Sequence, residues 1–393
     1  MRPYERGLYV RRASVPRPVT LSAGSQVFVP LEHGETPLVS EGDPVRLGQR
    51  IAAGDGQSVP LHAGVSGLVS AIVPRTCADG QQYSTLVLEN DGRNRPDPSI
   101  RPRAVLDGLS DEALLGSLAD AGIRLPDGVP LAAAVTQGRG KPLAVSLMDP
   151  EPGLCAGEAA LLFDREATLS GIWLLAGLLG TDRATLVVGS GQREAVRAAK
   201  RWSGDRLGLC VAGGPCPAGH PARLSDVLDG AVVVPAHVAA AAAHACYEGI
   251  PVMRGVVCVW REGGQALFDV PLGIPVRTVL EAAGVQDGVV ILGGPLTGRP
   301  LACLDGPVVK GLEALTVFNS DGRSDGGRTA CVRCGRCERV CPVGLRPWVR
   351  FFGGARRERS DCLHCGACQF VCPAGLPLAT LTRNVRTRSA ERK

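Results

Sequence analysis

CVRCGRCERVCP at residues 331–342 and CLHCGACQFVCP at residues 362–373 share one spacing, C-x2-C-x2-C-x3-C-P. Eight thiolates in this arrangement suit two [4Fe–4S] cubanes. A run of this kind gives three ligands to one cluster and its fourth cysteine to the other. The expected sets are Cys331, Cys334, Cys337 with Cys372, and Cys362, Cys365, Cys368 with Cys341. Three cysteines of each run are expected on a tight loop, and the fourth at the start of a helix. Pro342 and Pro373 then turn the chain away. Zinc is the alternative for C-x2-C pairs, but a zinc site closes with four ligands and has no use for two trailing Cys-Pro steps.

The other seven cysteines, Cys77, Cys155, Cys210, Cys216, Cys246, Cys258 and Cys303, are scattered and lie mostly in apolar stretches. That placement predicts reduced, buried thiols rather than disulfides. Cys210, Cys216 and His220 fit no common metal-binding spacing. With 393 residues, 45% of them hydrophobic, the chain can fill a large core spread over two to four domains. Its 51 glycines and 30 prolines favour β-rich and α/β parts over a helical bundle.

The N-terminus, MRPYERGLYVRR, lacks the apolar run of a secretory signal. The longest uncharged run, 231–247, is too short and too polar to span a bilayer. The expectation is a soluble cytoplasmic protein that meets the inner face of the cell membrane only through partners. The net charge of +5 is uneven, since residues 321–393 hold fifteen Lys or Arg against six Asp or Glu. Cluster thiolates absorb part of that excess, and the remainder suits steering of an acidic redox partner. These arginines alternate with cysteines and accompany no recognition motif, so nucleic acid is not an expected partner.

Residues 27–72 alternate as short strands between turns, and Gly42-Asp43-x-Val45-x-x-Gly48-Gln49 matches the hairpin of biotinyl and lipoyl domains, with Val45 and Ile51 inward. A carrier would need a lysine at a hairpin tip, but the first of the four lysines is Lys141. A Pro- and Arg-rich linker at 93–102 leads to an α/β pattern. There a helix at 158–179 precedes strand, helix and strand at 185–213, and a second unit runs from the helix at 237–249 to the strand at 251–260. That order implies a mostly parallel sheet. Gly189-Ser190-Gly191 lacks the third glycine of a dinucleotide fingerprint and reads as a tight turn. Residues 264–295 supply the strands and short helix of a β-grasp, and Gly293–Gly298 reads as a structural turn.

VPLEHG, EGDPVRLGQ, LHAGVSGLV, YEGIPVMRGVVCV, ILGGPLTG, PVVKG and the two cysteine runs follow one another in the chain. In that order they resemble the RnfC family of the Rnf electron-transport complex and its relatives, including the proline-reductase electron-transfer protein and cobalamin-reductase-like proteins. The middle is also similar to the flavin-carrying subunit of respiratory complex I. The resemblance implies a multidomain fold of α/β plus β parts. Residues 1–92 form a barrel-sandwich hybrid without a carrier lysine, and 104–262 a Rossmann-like parallel α/β domain. Residues 263–318 form a β-grasp, SLBB-like module, and 322–385 a ferredoxin-like domain with two [4Fe–4S] clusters.

In this family a Gly-Gly-Ala-Gly-Phe-Pro-Thr loop cradles FMN, on which NADH stacks. The matching region, Asp120–Gly128, has lost the consecutive glycines and places Arg124, Leu125 and Asp127 where the flavin phosphate would approach. The family's Glu-x-Glu-Pro element reads Asp149-Pro150-Glu151-Pro152, which leaves Glu151 as the candidate of the flavin and NADH region. The expectation is an electron-transfer subunit with no catalytic residue of its own. It would pass electrons between a flavoprotein or ferredoxin and a downstream reductase or membrane complex. The alternatives are an FMN-dependent NADH dehydrogenase subunit and a reductase component whose β-grasp binds a corrinoid. Lys310 matches a family position beside the cysteine domain, as an electrostatic or simple surface residue.

Overall fold

A computed structural model describes residues 7–8, 14–261, 264–319, 329–352 and 362–379. In the N-terminal part the strands Gln26–Pro30, Gln82–Asn90, Gly67–Thr76 and Pro44–Val45 form an antiparallel sheet in that order. A small sheet of Thr36–Pro37, Arg50–Ala53 and Leu61–His62 completes the sandwich. Side chains alternate across a strand, and the inward set includes Val27, Val45, Ile51, Val69, Leu86 and Leu88, all buried. Val45 and Ile51 point inward as their hairpin predicts.

The α/β part holds a wholly parallel sheet ordered Leu207–Ala212, Ala184–Gly189, Leu143–Ser146, Val232–Pro235. Its core is built from Leu143, Val145, Leu186 and the helix residues Ile172, Leu175 and Leu179. The helix expected at 158–179 is two helices, Ala156–Phe163 and Arg165–Leu179, and the second ends at left-handed Gly180. The alanine-rich helix Ala236–Ala243 packs against Arg165–Leu179. Their backbones come so close that a Cβ at Gly171 would lie 1.8 Å from the Ala239 carbonyl oxygen. Small residues therefore permit this contact, which explains the alanine run.

The strand Arg254–Arg261, read from the sequence as part of the second α/β unit, belongs to another sheet. It pairs antiparallel with Gly264–Pro271 and parallel with Ala314–Phe318. That six-stranded sheet also takes in Val19–Thr20, parallel to Gly264–Pro271, and the edge strands Val289–Leu292 and Arg299–Pro300. The helix Val276–Ala282 covers its apolar core through Val276, Val279 and Leu280. Three short helices, Arg336–Val340, Pro347–Phe351 and Ala367–Phe370, carry the cysteine region. Among the described residues, no helix is long and apolar enough to cross a membrane.

Candidate metal centre

The two cysteine runs repeat in backbone as well as in sequence. Arg333 and His364 both take positive φ, 52° and 53°, and so do Gly335 and Gly366, at 70° and 73°. Gly344 and Gly375 repeat the feature at 73° and 61°. Each run thus makes the same tight loop and enters a short helix directly after its glycine. This differs from the expected arrangement. Cys337 and Cys368 lie inside those helices, and Cys341 caps the C-terminal end of the first rather than starting a helix. A left-handed glycine lets the helix begin before the third cysteine, and Pro342 ends it after the fourth. Thr329 N–H donates to the Ala374 carbonyl oxygen at 3.2 Å, tying the start of one repeat to the end of the other.

Cysteines from both runs come together around two cavities. One, of about 440 Å³, is bordered by Cys341, Cys362, Cys365 and Cys368. The other, of about 350 Å³, is bordered by Cys331, Cys334, Cys337 and Cys372. The fourth cysteine of each run therefore faces the first three of the other. Among the described residues, no three His, Cys, Asp or Glu side chains are gathered as they must be around a single ion. The linings are otherwise largely apolar, with Val343 and Leu345 at the first cavity and Trp348, Leu376 and Leu378 at the second.

The electrostatics fit a cationic guest that the thiols would meet as thiolates. Burial, and then the neighbouring Cys365, Cys362 and Cys341, pushes the Cys368 thiol up to about 12. Burial likewise raises Cys365 and Cys337. Four such groups stay protonated without a compensating positive charge, which cluster iron supplies. Backbone donors already point at sulfur: Leu345 N–H at Cys341 Sγ, 3.3 Å, and His364 N–H at Cys362 Sγ, 3.4 Å. Such bonds tune the reduction potential of a cluster.

The cavity bordered by Cys341 and Cys362 is walled by the body of the protein. Gly366 abuts Leu296, whose loop is held by Glu151. The buried Glu151 carboxylate accepts Leu296 N–H at 2.8 Å and Thr297 N–H at 3.3 Å, and also the Thr297 hydroxyl. His220 packs on the same loop from another side. Burial lowers its imidazole pKa, offset in part by a hydrogen bond with the Leu363 backbone. Sequence reasoning missed Leu296, His220 and the two sulfur-directed amides; the matching glycines of the repeats were the available signal for the loop geometry.

The region matching the family's flavin loop is closed upon itself. Leu125 N–H donates to Val129 O at 2.8 Å, Gly128 N–H to Leu125 O at 2.9 Å and Leu131 N–H to Ile123 O at 3.0 Å. Val129 N–H donates to Asp127 Oδ1 at 3.2 Å. The Arg124 guanidinium donates to the Lys310 carbonyl oxygen and sits 3.1 Å from His33 Nε2. At the Gly189 turn, buried Gln192 takes the Gly189 N–H through Oε1 at 2.7 Å. Amides committed in this way do not offer the bare cradle that a flavin phosphate requires, so FMN does not fit these residues.

Lys310 lies neither beside the cysteines as an electrostatic group nor on the surface. It is buried, and its Nζ donates to Pro60 O at 2.8 Å and Gly122 O at 3.1 Å. Of the seven remaining cysteines, Cys77, Cys155, Cys246 and Cys258 are buried and Cys210, Cys216 and Cys303 half-buried, all as free thiols.

Residues 11–93 match the RnfC barrel sandwich hybrid domain and residues 330–376 the 4Fe–4S dicluster domain. The RnfC protein of the Na+-translocating ferredoxin:NAD+ oxidoreductase complex of Acetobacterium woodii is 28% identical over 79% of this chain and 76% of its own length. The chain is RnfC-like. The corresponding protein of the ion-translocating oxidoreductase complex of Pectobacterium atrosepticum is 30% identical over 83% of this chain, which spans about half, 52%, of that protein. Among solved structures, an air-oxidized NAD+-reducing [NiFe]-hydrogenase is similar at a TM-score of 0.42, with 19% identity over 72% of this chain and 54% of the other.

Proposed function

We propose that this RnfC-like chain is the electron-transfer subunit of an Rnf-type ion-translocating oxidoreductase, working through two [4Fe–4S] clusters. The observation that carries the reading is the crossed gathering of eight cysteines around two cavities. Cys331, Cys334, Cys337 and Cys372 would hold one cluster, and Cys341, Cys362, Cys365 and Cys368 the other. When bound, such clusters supply reversible one-electron chemistry with no bond made or broken in the protein. The chain's own residues set the conditions. Apolar walls exclude water, Leu345 and His364 amides donate to sulfur, and the body loops fix the Cys362 loop in place.

The α/β part is read as Rossmann-like and the segment around 264–292 as SLBB-like, both serving as scaffold. The proposed divisions are 1–92, 104–262, 263–318 and 322–385, with strand Arg254–Arg261 packing into the sheet of the third. Membrane association would be peripheral, through the other members of the complex. Ferredoxin, a flavoprotein or a downstream reductase would be its redox partners. A reductive titration followed by electron paramagnetic resonance tests the reading: two one-electron centres per chain are expected, and a chain with no reducible centre would overturn it.

A further inference from the structure

Equivalent positions of the two cysteine loops differ in exposure along their whole length. Val332, Arg333, Cys334 and Arg336 are exposed, Val332 by 65%, whereas Leu363, His364 and Cys365 are half-buried and Ala367 is buried. A Cβ at Gly335 would meet nothing within 4 Å, but one at Gly366 would meet the Leu296 carbonyl oxygen at 2.1 Å. One site therefore faces the body and the other stands at an open tip. Around that tip Arg333, Arg336 and Arg339 are exposed. Glu338, the one carboxylate of residues 331–342, is half-buried and accepts from Trp348 Nε1. The rim is thus cationic, with an apolar point at Val332 and a ligand cysteine at its surface.

We propose that Val332–Cys334, ringed by Arg333, Arg336 and Arg339, is the docking surface for an acidic one-electron carrier protein. The proposal rests on the cluster reading above. Complementary charge raises association rates and fixes the approach, while the exposed Cys334 shortens the path for the electron. The exchange is of one electron, lost by the carrier's reduced centre and gained at the site bordered by Cys331, Cys334, Cys337 and Cys372. No bond changes. The alternative role for the arginines is local balance of thiolate charge, and it predicts no dependence on a partner.

The test uses the full chain with its iron and sulfide measured first, and an oxidised acidic [2Fe–2S] ferredoxin as the probe. Binding is measured at low and at physiological salt for the native protein, Arg336→Glu, Val332→Glu and, as a control, Arg46→Glu on the exposed face of the barrel. Arg336→Glu is expected to weaken binding about three- to tenfold at low salt, as loss and reversal of rim charge pairs implies. The difference should shrink at physiological salt, Val332→Glu should act in the same direction, and Arg46→Glu should bind as the native chain does. Unchanged binding in Arg336→Glu and Val332→Glu, with iron retained, overturns the docking surface and leaves the cluster reading standing. Equal weakening by Arg46→Glu also overturns it. A native chain that holds no iron overturns both.

Discussion

Gly366 sits directly against Leu296, so that an ideal Cβ on the glycine would lie 2.1 Å from the leucine carbonyl oxygen. Leu296 in turn gives its N–H to Glu151 at 2.8 Å. One line of contacts therefore joins the loop after the parallel-sheet strand Leu143–Ser146 to the inner cysteine loop. The outer loop has no such support at Gly335, so two runs of one spacing occupy unlike surroundings.

Alanine should be tolerated less well at Gly366 than at Gly335. Both glycines are left-handed, at 73° and 70°, so each alanine carries a strain of about 1 kcal/mol. Only at Gly366 does the new methyl also strike backbone. Thermal unfolding and iron per chain should show Gly366→Ala losing more of both than Gly335→Ala. Equal losses would mean that Leu296 does not hold the inner loop.

Glu151→Ala should destabilise the chain by about 1–3 kcal/mol, because the buried donors Leu296 N–H, Thr297 N–H and Thr297 Oγ1 lose their acceptor. Glu151→Gln keeps one acceptor oxygen and should lie between. Denaturant unfolding measures both. A Glu151→Ala chain as stable as the native one would remove the carboxylate from its anchoring role.

Lys310 links pH to stability. Burial lowers its pKa from 10.5 to about 7, so between those values the unfolded chain binds more protons than the folded one. Stability contributed by this group therefore rises with pH through that window, with a slope of up to about 1.4 kcal/mol per pH unit. Lys310→Met should be less stable at high pH, because Pro60 O and Gly122 O lose their donor, and should lack the slope. Unfolding free energies from pH 7 to 10 compare the two; parallel curves would show that the ammonium is not buried.

The sequence made some of this architecture visible and hid the rest for physical reasons. Ligands to a cubane must recur at fixed spacing, so the eight cysteines and their crossed pairing were readable from Cys331 to Cys372. The barrel was readable because Val45 and Ile51 lie on a patterned hairpin. Sheet membership of Arg254–Arg261 was not, since its apolar run suits either sheet and its pairing is decided by Ala314–Phe318, far along the chain. Lys310 gave no sign of burial either: its partners Pro60 and Gly122 are 250 and 188 residues away. Which cysteine run faces the body was equally hidden, because Leu296 distinguishes Gly366 from Gly335 only in three dimensions.

The most direct measurement is the metal and sulfide content of the anaerobically purified chain, taken with Cys341→Ser and Cys372→Ser. Two cubanes require roughly eight iron and eight sulfide per native chain. Crossed ligation further requires that Cys341→Ser degrade the same spectroscopic centre as Cys365→Ser, and Cys372→Ser the same centre as Cys334→Ser. About two zinc per chain without sulfide would contradict the account, and so would pairing of Cys341 with its own run.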